Sequence, residues 1–168
     1  LGFVRFRNGE EIRCGEVVGD SSADDLRRVQ IRETIKSHLE KEERLYERGI
    51  KCLSLFFIDE VAKYRAYTNE GDELTVGYGT IFEQEYAAAV KERLEASRLG
   101  DESSGSYASY LSRFAPNEVH KGYFSTDKKG HVVNSKVKRG SEDSDDGSAY
   151  ELIMRNKERL LSFEEPTR

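Results

Sequence analysis

Gly49-Ile50-Lys51-Cys52-Leu53-Ser54-Leu55-Phe56-Phe57-Ile58-Asp59-Glu60 is the stretch on which the fold turns. From Ile50 to Ile58 strict alternation is lost and most positions are apolar. Gly49 bounds the run on one side and Asp59 on the other. A strand buried on both faces reads this way, and such strands belong to parallel sheets. Just upstream, Ser22 with Asp25 forms a capping box that opens a helix running to Arg48. Gly49 ends that helix where a left-handed residue is needed. Leu26, Ile31, Ile35, Leu39 and Tyr46 recur at helical spacing, one apolar stripe on an otherwise charged helix. A helix leading directly into a buried strand is an α/β unit. Thr80 with Glu83 is a second capping box, opening a helix from Ile81 to about Arg98 with Ile81, Phe82, Tyr86, Ala89, Val90 and Leu94 inward. One strand does not make a doubly wound sheet, so the partner strands are expected elsewhere in a longer parent protein.

The flanks read as surface structure. Phe3 to Cys14 alternates around Asn8-Gly9, a hairpin signal with charges on one face. Gly100 to Ser106 has linker composition. A short helix from Tyr107 to Phe114 stops ahead of Pro116, because the residue before proline avoids the helical region. Val119 to Val137 reads as a second hairpin turning at Asp127-Lys128-Lys129-Gly130. Gly140 to Ser148 is acidic and of low complexity. Ser148 with Glu151 opens a last helix through Leu161.

Composition narrows the function classes. A chain of 168 residues has room for about one domain. It is 35% charged, against about 25% in an average globular protein, so the core is modest. No apolar run approaches the roughly 20 residues of a membrane span. Arg5 and Arg7 follow Leu1-Gly2-Phe3 where a signal peptide would turn apolar. The missing initiator Met suggests an excised piece of a longer chain. Cys14 and Cys52 form no CxxC pair and no disulfide framework, which fits a reducing, cytoplasmic setting. The net charge of −5 argues weakly against a general nucleic-acid binder, although a whole-chain sum hides local patches.

Each chemical candidate stands beside a plainer reading. Asp59-Glu60 at the end of an apolar strand looks like a Walker B site, whose acids hold Mg²⁺ and polarise water. The required phosphate loop ending in Gly-Lys-Ser/Thr is absent; Gly77-Tyr78-Gly79-Thr80 lacks the lysine. The plainer reading is an acid pair closing a buried strand. Asp127-Lys128-Lys129 matches half of a restriction-nuclease signature, but Pro116 is followed by Asn117 rather than Asp, and a turn explains the residues. His38, His120 and His131 are widely separated without metal-ligand spacing, and read as surface or rim histidines. The basic stretch says more. Lys121, Lys128, Lys129, Lys136, Lys138 and Arg139 are opposed only by Asp127 between Lys121 and Arg139, with Tyr123 and Phe124 among them. A lysine hairpin with aromatics is suited to phosphates and sugars. The competing view is a solvated hairpin screened by Glu142, Asp143, Asp145 and Asp146.

Several of these stretches resemble one family. Gln30-Ile31-Arg32-Glu33-Thr34-Ile35, Gly49 through Arg65, Gly122-Tyr123-Phe124-Ser125 and Ala149 to Phe163 are similar to the Res subunit of type III restriction-modification enzymes. Leu55-Phe56-Phe57-Ile58-Asp59-Glu60-Val61-Ala62-Lys63-Tyr64-Arg65 is the most specific part. The resemblance implies a superfamily-2 helicase-like motor whose two RecA-like domains hydrolyse ATP with Mg²⁺. It further implies a nuclease domain and a separate Mod subunit that recognises and methylates DNA. On that view residues 1–20 are a lead-in hairpin and 21–99 open the second RecA-like domain. Residues 100–148 hold the linker, basic hairpin and acidic loop, and 149–168 lead into the rest of the motor. Asp59 and Glu60 then become motor-cleft residues rather than magnesium ligands, and no catalytic residue is carried over. The isolated chain is expected to be inactive and to self-associate through an exposed sheet edge. The alternative is an accessory module that binds DNA or a protein partner and has no motor role.

Overall fold

The computed structural model describes residues 2–5, 7, 11–13, 23–98, 105–126, 131–134 and 154–168. Helix α1 (Ala23–Tyr46) and helix α2 (Tyr78–Arg98) pack along each other and form the frame. Ile35, Leu39, Tyr86 and Ala89 from these helices meet Tyr107, Tyr110 and Leu111 of α3 (Gly105–Leu111), with Val119 beneath. Each large aliphatic side chain so buried contributes about 1.5–3 kcal/mol relative to exposure. Charge contacts fix the helix register: Arg28 Nη1 and Arg32 Nε each lie 2.6 Å from the Glu85 carboxylate. The Arg32 hydrogen bond is the chief reason that the Glu85 carboxyl lies below its ordinary value.

Helix α1 ends as its sequence predicts. Gly49 adopts φ +68°, its N–H bonds the Tyr46 carbonyl at 2.9 Å and the Ile50 N–H reaches back to Leu45 at 3.0 Å. That pair of bonds is a Schellman motif, and it satisfies carbonyls that the helix end leaves free.

The run from Ile50 to Ile58 is a correction. It has no regular secondary structure and joins none of the sheets. Among the described residues all sheets are two-stranded and antiparallel, so the expected parallel strand finds no neighbour. Without ladder bonds the segment takes the side-chain contacts at hand. Lys51 and Cys52 turn inward, while Leu55 and Phe57 are 61% and 91% exposed. The inward lysine is explained by its acceptors, since Lys51 Nζ donates to the main-chain carbonyls of Ser162 and Glu165. Phe56 packs edge-on against Phe82, with ring centroids 5.8 Å apart.

The three hairpins are β1 (Phe3–Arg5) with β2 (Glu11–Arg13), β3 (Arg65–Tyr67) with β4 (Glu73–Thr75), and β5 (Ser125–Thr126) with β6 (Val132–Val133). The first pairs Val4 with Ile12, as the alternation predicts. The second went unread in the sequence. It pairs Ala66 with Leu74 and closes through Thr68, whose N–H bonds the Asp72 carbonyl while its hydroxyl accepts from the Glu70 and Asp72 N–H groups. The third is shorter than expected; Val119 lies in the core instead of a strand.

Two helix starts differ from expectation. Helix α2 begins at Tyr78 because the Gly77 carbonyl accepts the Ile81 N–H at 2.9 Å. Thr80 does not cap it; its hydroxyl donates to the Thr75 carbonyl, and Glu83 bonds His120. In the last helical region Met154 and Arg155 are helical, Asn156 forms a turn, and α4 spans Lys157–Leu160. Ser22, the turn at 127–130, the linker residues 100–104 and the acidic stretch 140–148 lie outside the described residues.

Candidate nucleic-acid interface

An open groove of about 550 Å³ runs between the β3–β4 hairpin, residues 120–124 and the α4 region. Arg65 comes from β3, Lys121 and Tyr123 from the central segment, and Arg159 from α4. The central segment is pinned at both ends. Val119 is fully buried, and its carbonyl accepts the Arg168 N–H at 3.0 Å. His120 then spans two elements, its Nδ1 2.7 Å from the Tyr64 hydroxyl and its Nε2 3.1 Å from Glu83 Oε1. Burial pushes the Tyr64 phenol above its ordinary value. Gly122 must be glycine, because an added Cβ would run into the rings of Phe124 and Tyr64. On the far side the Val132 N–H donates to the Tyr67 hydroxyl at 2.8 Å, and Asn134 Oδ1 accepts the Val61 N–H at 2.7 Å. The groove walls are therefore tied to one another through side chains.

Its cations are held in place. Arg65 stacks 5.1 Å over the Tyr64 ring, with Glu73 3.5 Å away. Lys121 forms an ion pair with Glu165, and Arg159 Nε lies 3.6 Å from the other oxygen of the same carboxylate. The Lys121 hydrogen bond is the leading reason that the Glu165 carboxyl lies below its ordinary value.

Of the residues singled out by sequence, Lys121 and Tyr123 line this groove together. Lys128, Lys129, Lys136, Lys138 and Arg139 lie outside the described residues. Asp59 and Glu60 stand apart from the groove lining, at a bend leading into a 3-10 turn (Val61–Lys63) rather than at a strand end. Both are exposed and pair with Lys63, at 2.7 and 3.0 Å. The Lys63 hydrogen bond holds Asp59 below its ordinary value, and the Tyr78 hydroxyl donates to it at 3.3 Å. One ammonium thus offsets one of the two negative charges locally. Arg65 and Arg159 were missed because neither sits in a basic run; only the fold brings them to Lys121.

His38 corrects another expectation. It is buried at 9% exposure, with Nδ1 2.8 Å from Ser54 Oγ and Nε2 3.7 Å from Glu42. Among the described residues no group of three or more His, Cys, Asp or Glu is placed to hold a metal. No helix among them is long and apolar enough to cross a membrane.

Comparison with known proteins points to the same kind of protein as the resemblance. The chain is 33% identical over 168 residues to the EcoP15I Res subunit of Escherichia coli, a type III restriction-modification enzyme, with 96% of this chain aligned. It is also 33% identical over 172 residues to the EcoPI Res subunit of Escherichia phage P1, with 98% aligned. Over nearly its whole length this chain is similar to type III Res subunits. It spans only 15% and 16% of the length of those two Res subunits. No family model matches it, and no solved structure matches it.

Proposed function

We propose that this chain acts as a segment of the Res subunit of a type III restriction enzyme and that its groove touches the DNA backbone. The observation that carries the DNA contact is the convergence of Arg65, Lys121 and Arg159 around Tyr123 on one open surface. Guanidinium and ammonium groups meet phosphate oxygens through charge-assisted bonds, and a tyrosine face accepts a sugar or a base. Such contacts position a duplex and supply affinity without reading sequence. The choice of DNA site then falls to a Mod partner.

In the longer protein this segment would open the second RecA-like domain, with residues 1–20 as its lead-in and 149–168 continuing the motor. The run Ile50–Ile58 would gain its sheet partners there, which accounts for apolar side chains left facing solvent in this chain. In the chain alone those exposed apolar side chains would favour self-association. Asp59 and Glu60 would form part of one wall of the motor cleft. ATP and Mg²⁺ would be held by other parts of the protein, and the present chain would turn over neither ATP nor DNA. A cytoplasmic location goes with that role.

The test is binding of labelled duplex DNA, followed by anisotropy between about 50 and 200 mM salt. Lys121→Gln and Arg159→Gln should each weaken binding on every sequence and flatten the log–log salt slope by about 0.9. Binding that keeps its slope in both variants would refute the groove as the interface.

A further inference from the structure

We propose that Glu165, set behind the groove lining, holds the charges of Lys121 and Arg159 in place of a nucleic-acid phosphate, so that DNA must draw them away from it to bind. The inference rests on the groove being a DNA interface. Glu165 Oε1 takes the Lys121 ammonium and the Thr167 hydroxyl, the latter at 2.9 Å, and Oε2 faces Arg159 Nε at 3.6 Å. A carboxylate between an ammonium and a guanidinium meets the same demand as a phosphate oxygen pair. Exposure shows which partner is set deep. The Glu165 side chain is 11% exposed, whereas those of Lys121 and Arg159 are 42% and 63% exposed and reach over it from the solvent side.

The backbone around the acid is fixed. The Glu165 carbonyl accepts Lys51 Nζ, and three residues later the Arg168 N–H is bonded to Val119. Displacement therefore asks the Lys121 and Arg159 side chains, not the acid or its backbone, to turn outward. It also sets a threshold. A free phosphate ion offers one anion and competes with a tethered carboxylate at high local concentration. A duplex brings further phosphates to Arg65 at the same time, and the added contacts meet the cost of drawing the cations off the acid. Glu165 thus discriminates against small anions by making them compete.

The experiment adds Glu165→Gln to the same anisotropy titration of the full 168-residue chain, with inorganic phosphate as competitor. The amide keeps an acceptor for the Thr167 hydroxyl and removes the charge. The account expects roughly five-fold tighter duplex binding at low salt, the scale of one ion pair released from competition. It expects the salt slope to stay close to that of the wild type, because Lys121 and Arg159 meet phosphate in both chains. Inorganic phosphate should compete with the variant and hardly with the wild type. Should Glu165→Gln lose its fold, Thr167→Val removes the hydroxyl that steadies the acid and should shift binding the same way, by less. Wild-type binding that responds to Lys121→Gln while Glu165→Gln leaves the affinity unchanged would overturn the displacement and leave the interface standing. Salt-independent binding by wild type and Glu165→Gln alike would overturn both. Binding gained by Glu165→Gln where the wild type binds weakly would support both.

Discussion

Replacing Arg168 with Ala should unfold much of what the chain holds together. Glu42 and Arg168 are 0% and 1% exposed at the side chain, with Arg168 Nη1 2.7 Å from Glu42 Oε2. Arg168 also lies 4.1 Å over the Tyr110 ring and donates to the Tyr110 carbonyl. Burial is the largest influence on Glu42 and works to raise its pKa. The nearby His38, the Arg168 charge and the Tyr107 hydroxyl together outweigh burial and hold the carboxyl below its ordinary value. Removing Arg168 leaves a buried carboxylate with the Tyr107 hydroxyl at 2.9 Å, the Tyr110 hydroxyl at 3.5 Å and an imidazole nitrogen at 3.7 Å. Breaking one side of a buried pair costs about 3–5 kcal/mol. For a chain of this size that is a fall in Tm of about 6–20 °C. The pH dependence gives the sharper signature. In the wild type Glu42 is depressed, so its stabilisation is present above the ordinary carboxylate range and lost as pH falls through the lower folded value. In Arg168→Ala burial dominates and the carboxyl takes up a proton at milder acidity. The gap between variant and wild type should therefore narrow from pH 7 to pH 5. Urea unfolding followed by circular dichroism at both pH values measures it. A loss under about 1 kcal/mol, or a gap that does not narrow, would refute the reasoning.

Two further outcomes follow from the frame. Gly77 has φ +47°, and an added Cβ would run into the Lys63 carbonyl, so Gly77→Ala should cost about 1–3 kcal/mol in a thermal melt; an unchanged Tm would show that the α2 entry is not so constrained. Burial brings the Lys51 ammonium down to about 8. The unfolded chain then holds this proton to higher pH than the fold does, so Lys51 adds stability as pH rises from about 8 toward its ordinary value near 10.5. Wild type should gain on Lys51→Met across that window, and parallel stability–pH curves would count against the burial.

How much of this was legible in the sequence depends on what holds each element. Helix α1, its Gly49 stop and the β1–β2 register depend on local chemistry, and the sequence analysis found them. The inward residues of α2 were read correctly, but its start was not, because Gly77 supplies the first accepting carbonyl and Thr80 bonds backward to Thr75. Ile50–Ile58 was read as a buried strand because its composition is that of one. Composition cannot supply the neighbours a strand needs, and the described residues offer none. The β3–β4 hairpin was overlooked because its three-residue strands are too short to show alternation, though Asn69-Glu70-Gly71-Asp72 carried a turn signal. Half of the groove was visible as Lys121 and Tyr123. Arg65 and Arg159 are separated from them by dozens of residues, and only tertiary packing through His120, Tyr64 and Glu165 joins them.

The central claim is that this chain works as one segment of a Res-type motor. Reading the source DNA in frame on both sides of the coding segment tests it most directly. The account predicts an upstream Gly-x-x-x-x-Gly-Lys-Ser/Thr loop and an acid-bearing strand on the same polypeptide, with further motor sequence downstream. A start codon just before Leu1 and a stop codon soon after Arg168 would contradict it and leave the basic groove as the functional lead.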